Sequence, residues 1–286
     1  MTRRPAAIRR AEELLGTGVV ATAAVAGGET SSAVRLRLTN GHSALMKSLH
    51  GAPEDYYPSE ASDLAWLQVT GGVPVPRVLA AARDCLIVEW IEPGNRHPTE
   101  TAVEFGERLA RTHAAGADGW GLDRDGYIGR LPLRNRPETT WPTFYAVNRV
   151  LPYLALARER GAITDDDAAA VESVVGRLPD LLPEEPPSRL HGDLWNGNCV
   201  WGADGQVHAV HPASYGGHRE MDVAMLHLFG FTHLPRVVAG YEAVHPLTSG
   251  WQERLGLHQL FPLLVHACTF GGRYGARAGA VAARYR

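Results

Sequence analysis

Between Val19 and Ile91 apolar and polar residues follow each other in a pattern that belongs mainly to strands. Val34, Leu36 and Leu38 alternate with polar neighbours, Ala44 and Met46 do so again, and Asn40-Gly41 stands between the two runs, which predicts an antiparallel hairpin. Leu64 and Leu67 are helix-spaced, with Ser59 or Ser62 as the expected cap and Glu60 in the first turn. The unbroken apolar run Cys85 to Trp90 predicts a buried strand. Past Pro93-Gly94 the period lengthens. Phe105, Leu109 and Thr112 share one helical face, Thr101 to Glu104 can form a capping box, and Gly116 supplies the stop. Further helices are predicted over Pro142 to Arg160 and Thr164 to Leu178, the second opened by a cap and three acidic residues that favour a helix N-terminus. Gly119 to Trp141 has little periodicity and reads as one long loop. Strands first and helices afterwards predict an α+β fold in two lobes, 1–91 and 92–286, preceded by a short amphipathic helix that stops at Gly16 or Gly18.

Composition narrows the class. A chain of 286 residues with 45% hydrophobic and 21% charged positions is long enough for two lobes sharing a cleft. The net charge of −3 gives no electrostatic case for nucleic acid. Cys85, Cys199 and Cys268 lack any metal-ligand spacing and read as free thiols of a reducing cytosol. The basic N-terminus has no apolar core of a secretory signal, and Leu260 to Phe270, interrupted by Pro262 and His266, is about half a membrane span. The expectation is a cytoplasmic, monomeric protein with no membrane partner.

Candidate chemistry concentrates in Arg189 to Phe231. His191-Gly192-Asp193 is followed by Asn198, a turn at Ala203-Asp204-Gly205, a short strand Val207 to Val210, and His211-Pro212-Ala213. In a kinase, a loop Asp accepts the proton of the attacking hydroxyl, and an Asn five positions on binds a metal ion. A second metal-binding carboxylate follows one hairpin later. Asp193 and Asn198 match the first two roles, and His211 stands at the third. His191 would brace the loop, and Asp222 would accept its backbone N–H groups. Trp195, between base and metal ligand, suits either stacking on an acceptor or ordinary packing. Upstream, Gly27-Gly28 make a flexible turn that could face phosphates or simply close a hairpin. Lys47 is a solvated strand residue or the ammonium that holds nucleotide phosphates, with Glu60 as its helical partner. Glu89, Trp90 and Ile91 either end a core strand or present a hinge backbone to adenine. His113 reads as a packed or capping histidine.

Taken in order, these pieces resemble the fructosamine kinase (ketosamine-3-kinase) family, relatives of the aminoglycoside phosphotransferases within the protein-kinase-like fold. The resemblance is carried by HGDLWNGN (His191 to Asn198), HPASYGGHREMD (His211 to Asp222), GYIG (Gly126 to Gly129), VPRVL (Val75 to Leu79) and LFPLLVHA (Leu260 to Ala267), which together span nearly the whole chain. It implies a bilobal fold with an N-terminal antiparallel sheet plus one helix and a mostly helical C-terminal lobe. It also implies ATP and Mg²⁺ as cofactors, and phosphorylation of the 3-hydroxyl of a small-molecule or protein-bound ketosamine, whose product decomposes and so reverses glycation.

Two departures stand out. The Gly-rich loop, Gly27-Gly28-Glu29-Thr30-Ser31, lacks the cysteine that lets some members dimerise under oxidation. More seriously, His211 replaces the Asp of the pattern. Mg²⁺ prefers oxygen ligands, whereas a neutral imidazole suits softer metals. Transition-state electrostatic interactions of this kind are worth about 3–4 kcal/mol, about a hundredfold to a thousandfold in rate. The expectation is retained ATP binding with poor Mg²⁺-dependent turnover, and Mn²⁺ as the better cation. A nucleotide-binding pseudokinase and an aminoglycoside- or amino-alcohol-type phosphotransferase are the rival readings.

Overall fold

The computed structural model describes residues 6–25 and 32–286. Helix α1 (Ala6–Leu15) ends at Gly16, and strands β1 (Val19–Ala24), β2 (Ser32–Leu38) and β3 (Ser43–Ser48) follow. Helix α2 (Tyr56–Trp66) then precedes β4 (Val78–Ala82) and β5 (Cys85–Glu89). The five strands form one antiparallel sheet in the order β1-β2-β3-β5-β4. Period-two alternation gives the sheet two different faces. Ala44, Met46, Cys85 and Ile87 bury against Ala11 of α1, while Leu86 and Val88 pack with Tyr56, Tyr57 and Leu64 of α2. Lys47 lies directly opposite Leu86, so it shares the α2 face. At the predicted turn, Gly41 adopts φ +85° and the Asn40 side chain accepts the His42 N–H at 3.1 Å.

Helices dominate the chain after β5. α3 (Thr99–Ala114) leads to a hairpin of β6 (Gly126–Ile128) and β7 (Leu131–Leu133). Next comes a continuous helical run: α4 (Trp141–Phe144), a π-helical turn (Tyr145–Val150) and α5 (Leu151–Glu159). After α6 (Asp165–Val175) and α7 (Leu178–Leu181), short strands β8 (Ser188–Leu190), β9 (Cys199–Trp201), β10 (Val207–Ala209) and β11 (Tyr215–Gly217) frame the candidate site as the pairs β8–β11 and β9–β10. Helices α8 (Glu220–Phe229), α9 (Leu234–Val244), α10 (Trp251–Phe270) and α11 (Tyr274–Ala282) complete the chain. This is the protein-kinase-like arrangement. None of the described helices is long and apolar enough to cross a membrane.

Three local expectations are corrected. α2 starts at Tyr56 after Asp55, and neither Ser59 nor Ser62 caps it; burying Tyr56 and Tyr57 against the sheet draws the helix upstream, which moves Glu60 into its second turn. α3 starts after Pro98 without a capping box, because the Thr101 hydroxyl donates to the Gly205 carbonyl at 3.1 Å instead. The Gly119 to Trp141 stretch is not one loop, since it contains the β6–β7 hairpin. Helix α10 runs through Pro262. A proline there removes the N–H that would pair with the His258 carbonyl, and the Tyr145 hydroxyl reaches that carbonyl at 3.1 Å and Leu257's at 2.7 Å.

Candidate active site

The loop after β8 is pinned from below. Asp222, fully buried in the first turn of α8, accepts the backbone N–H of His191 at 2.8 Å and of Gly192 at 3.0 Å. Burial raises its carboxyl, but the His113 imidazole and the loop N–H groups outweigh that and hold it below the usual carboxylate range. His113 lies 3.2 Å from Asp222 and 2.8 Å from the Tyr241 hydroxyl, so the packed histidine expected at 113 also steadies the carboxylate that steadies the loop. His191 is held neutral by burial; its Nε2–H donates to the Val210 carbonyl at 3.1 Å, while Nδ1 faces the Asp193 N–H at 3.3 Å. Gly192 has φ +82°, and a Cβ there would stand 2.0 Å from the Ala213 carbonyl oxygen. No side chain fits between the two loops at that crossing.

Asp193 and Asn198 are joined directly. The Asn198 amide nitrogen donates to the Asp193 carboxylate at 2.8 Å and to its backbone carbonyl at 2.9 Å, which leaves the amide oxygen as the atom suited to a cation. Trp195 is half-buried; its ring lies over Gly197 and 5.9 Å from the Phe229 ring.

Across the cleft, Lys47 pairs with Glu60 of α2. Burial raises the Glu60 carboxyl, yet Lys47 and His211 bring it down to about 2. His211 has φ +55°, a left-handed conformation that His and Asp tolerate better than most residues. Its Nδ1 lies 2.9 Å from Lys47 Nζ and 3.3 Å from Glu60 Oε1. Nδ1 is thus occupied by the Lys47–Glu60 pair, and the ring brings no oxygen to the crevice. Asn198 and Asp193 therefore supply oxygens for a hard cation, whereas the third expected ligand does not fit one.

Asp193, His211 and Glu60 line one narrow crevice, together with Tyr56, Asp63, Tyr127 and Gly129. Lys47 reaches it through Glu60 and His211. Of the hinge residues, Glu89 N–H donates to the Arg77 carbonyl at 2.9 Å and Trp90 N–H to that of Ser43 at 3.3 Å, so the amide that could meet an adenine edge is that of Ile91. The Trp90 indole instead carries the Arg35 guanidinium at 4.6 Å and donates to Glu92 at 2.9 Å. Gly27 and Gly28 lie outside the described residues. Asp63 escaped the sequence reading, although a second carboxylate three residues after Glu60, hence on the same helix face, was a usable signal.

A sequence profile described as "Fructosamine kinase" matches residues 5–285. The chain belongs to the fructosamine kinase family. It is 35% identical over 253 residues to "Probable ketoamine kinase YniA" of Escherichia coli K12, covering 87% of this chain and 86% of that one. A candidate fructosamine-3-kinase solved from Thermobifida fusca superposes with a TM-score of 0.92 at 42% identity, covering 98% and 99% of the two chains. "Macrolide 2'-phosphotransferase type I" superposes with a TM-score of 0.65 at 18% identity, over 98% of each chain, a likeness of fold alone. Membership of the family makes the protein an ATP-dependent phosphotransferase and implies ATP and a divalent cation as its reaction partners.

Proposed function

We propose that the protein phosphorylates a sugar hydroxyl, the 3-hydroxyl, of a ketosamine at the expense of ATP and so serves deglycation, with weak turnover on Mg²⁺. The observation that carries this reading is that Asp193, paired with Asn198, and Glu60, paired with Lys47, line the same crevice. In this account Asp193 accepts the acceptor's hydroxyl proton as the new O–P bond forms to the γ-phosphorus. The bond from that phosphorus to the β–γ bridging oxygen breaks, and ADP leaves. Lys47, held by Glu60, binds the nucleotide phosphates, and the backbone at Glu89, Trp90 and Ile91 borders the adenine. Gly27 and Gly28 are assigned to the phosphate turn, and Trp195 to the acceptor. His191 and Asp222 keep the loop in shape.

The cation would be held by the Asn198 amide oxygen and by ATP, and it would neutralise phosphate charge. His211 adds no oxygen to that set, which supports slow Mg²⁺ turnover and a preference for Mn²⁺. The lobes divide after Ile91 on this reading. The three free cysteines are consistent with the reducing cytosol, where ketosamines on free or protein-bound lysine would be met.

A second reading is favoured by one observation, the engagement of His211 Nδ1 by Lys47: a nucleotide binder that transfers no phosphoryl group. The experiment that separates the two is phosphorylation of a fructosyl-lysine analogue followed by mass spectrometry, with Mg²⁺ and with Mn²⁺. A ketosamine 3-phosphate formed with either metal supports the first reading. A nucleotide-dependent thermal shift without any phosphorylated product supports the second.

A further inference from the structure

Asp63 sits one turn beyond Glu60 on α2 and is 5% exposed. One of its oxygens accepts from the Arg124 guanidinium at 2.6 Å; the other accepts the Ser214 backbone N–H at 3.2 Å. These partners belong to the two structures that meet at the crevice. Ser214 closes the segment His211–Ser214, whose first residue contacts Lys47 and Glu60. Arg124 opens the stretch into the β6–β7 hairpin, whose Tyr127 and Gly129 line the crevice beside Asp193.

Two more contacts run the same way. The Tyr127 hydroxyl donates to Asp55 at 2.6 Å, just before α2, and the Tyr56 hydroxyl donates to the Gly129 carbonyl at 2.9 Å. At its other end the hairpin is rooted in the C-terminal core. Asp125 accepts the Asn135 N–H at 2.8 Å, and Asn135 accepts from Arg149 at 2.6 Å, a guanidinium packed 3.8 Å above the Tyr215 ring. The hairpin is thus fixed in one lobe and laced along the helix of the other.

A buried carboxylate is a poor way to gain stability, because desolvation offsets most of its ion-pair energy and an apolar residue would pack as well. What it supplies is direction: two acceptor atoms aimed at two separate elements. We propose that Asp63 is a positioning residue that sets α2, the 211–214 segment and the β6–β7 hairpin in one register, so that a nucleotide held by Lys47 and Glu60 orders the hairpin beside Asp193. The inference rests on the proposed function in taking that side of the crevice as the acceptor side. It implies that nucleotide binding is felt at Gly126 to Leu133, although the nucleotide contacts invoked lie on β3 and α2.

The test is amide hydrogen exchange of the full chain with and without AMP-PNP and Mn²⁺, on the parent, Asp63→Asn, Arg124→Met and Arg124→Lys. The expected result is that AMP-PNP slows exchange across Gly126–Leu133 at least fivefold in the parent. The effect should vanish in Asp63→Asn and Arg124→Met, return in part in Arg124→Lys, and leave the thermal shift given by AMP-PNP in place. Arg124 is partly exposed, so its variants keep the test available if Asp63→Asn does not fold. Equal protection in parent and variants, or none in a parent that binds AMP-PNP, overturns the inference. A chain that shows the protection but phosphorylates no ketosamine leaves the inference standing and rejects the substrate assignment. A folded parent with no AMP-PNP thermal shift overturns both.

Discussion

A single imidazole marks the departure from the pattern expected of the sequence. His211 stands where that reading expects a metal-binding carboxylate, and its Nδ1 is turned toward Lys47 at 2.9 Å. Its backbone at φ +55° is one that Asp also adopts readily, so His211→Asp exchanges the ligand without straining the chain. The exchange is expected to raise Mg²⁺-dependent phosphorylation of a fructosamine at least tenfold, part of the roughly hundredfold to thousandfold that such an interaction can supply. A variant no faster than the parent would show that position 211 has no role in binding the cation. Asp193→Asn keeps the shape of the loop and removes the proton acceptor. Its kcat should fall by about 10²–10⁴-fold with nucleotide affinity nearly unchanged, read by single-turnover phosphorylation and nucleotide titration. Single residues were legible where they belong to a motif, as Asp193, Asn198 and Asp222 do. Arg124 was not, Tyr127 showed only as a member of GYIG and Asp63 only through its spacing from Glu60, because their roles depend on a hairpin-to-helix contact with 61 to 72 residues of chain between the partners.

At the scale of elements, the loop that carries Asp193 depends on helices that do not line the crevice. α3 and α9 approach so closely that a Cβ on Gly106 would lie 1.9 Å from the Val237 carbonyl oxygen, and one on Gly240 would lie 2.0 Å from that of Val103. This approach brings Tyr241 to His113 and His113 to Asp222. Gly240→Ala forces the helices apart and should destabilise the fold by about 1–3 kcal/mol, measured by urea unfolding. It should also lower activity at temperatures where the protein remains folded, since the support under Asp193 shifts.

The apolar joint between α8 and α10 also holds a buried ion pair. Burial raises the Glu220 carboxyl, but His258 and Arg254 (Nη2 at 2.5 Å, Nε at 3.1 Å) bring it down to about 2. A depressed carboxyl stabilises the fold above its unfolded value near 4.5 and loses that contribution as pH falls toward 2. Glu220→Gln should therefore be less stable than the parent by about 3 kcal/mol at pH 7, with the difference closing between pH 4.5 and 2. Urea midpoints that stay equally far apart at every pH would remove Glu220 from this role. Most elements were readable from period and turn chemistry: the Asn40-Gly41 hairpin, the Cys85 strand and the Thr164 cap. What misled was tertiary context. Buried tyrosines moved the start of α2, and a bond to Gly205 took the Thr101 hydroxyl.

For the whole molecule, the order of the chemistry along the chain is what the fold converts into proximity. Lys47, Glu60, Asp193, Asn198 and His211 are spread over 164 residues; Glu60, Asp193 and His211 line one crevice, Lys47 bonds to Glu60 and His211, and Asn198 bonds to Asp193. That convergence separates a kinase-like site from a chance HGD. The phosphotransferase that acts on macrolides shares the fold at 18% identity, so the fold leaves the acceptor open, and the acceptor has to be measured. The decisive measurement is ADP release coupled to detection of phosphorylated fructosyl-lysine, run on the parent, Asp193→Asn and His211→Asp with Mg²⁺ and with Mn²⁺. The account predicts a ketosamine 3-phosphate formed in step with ADP, slowly by the parent on Mg²⁺ and faster by His211→Asp, and almost none by Asp193→Asn. Folded parent and His211→Asp proteins that bind nucleotide yet yield no phosphorylated ketosamine with either metal would contradict it.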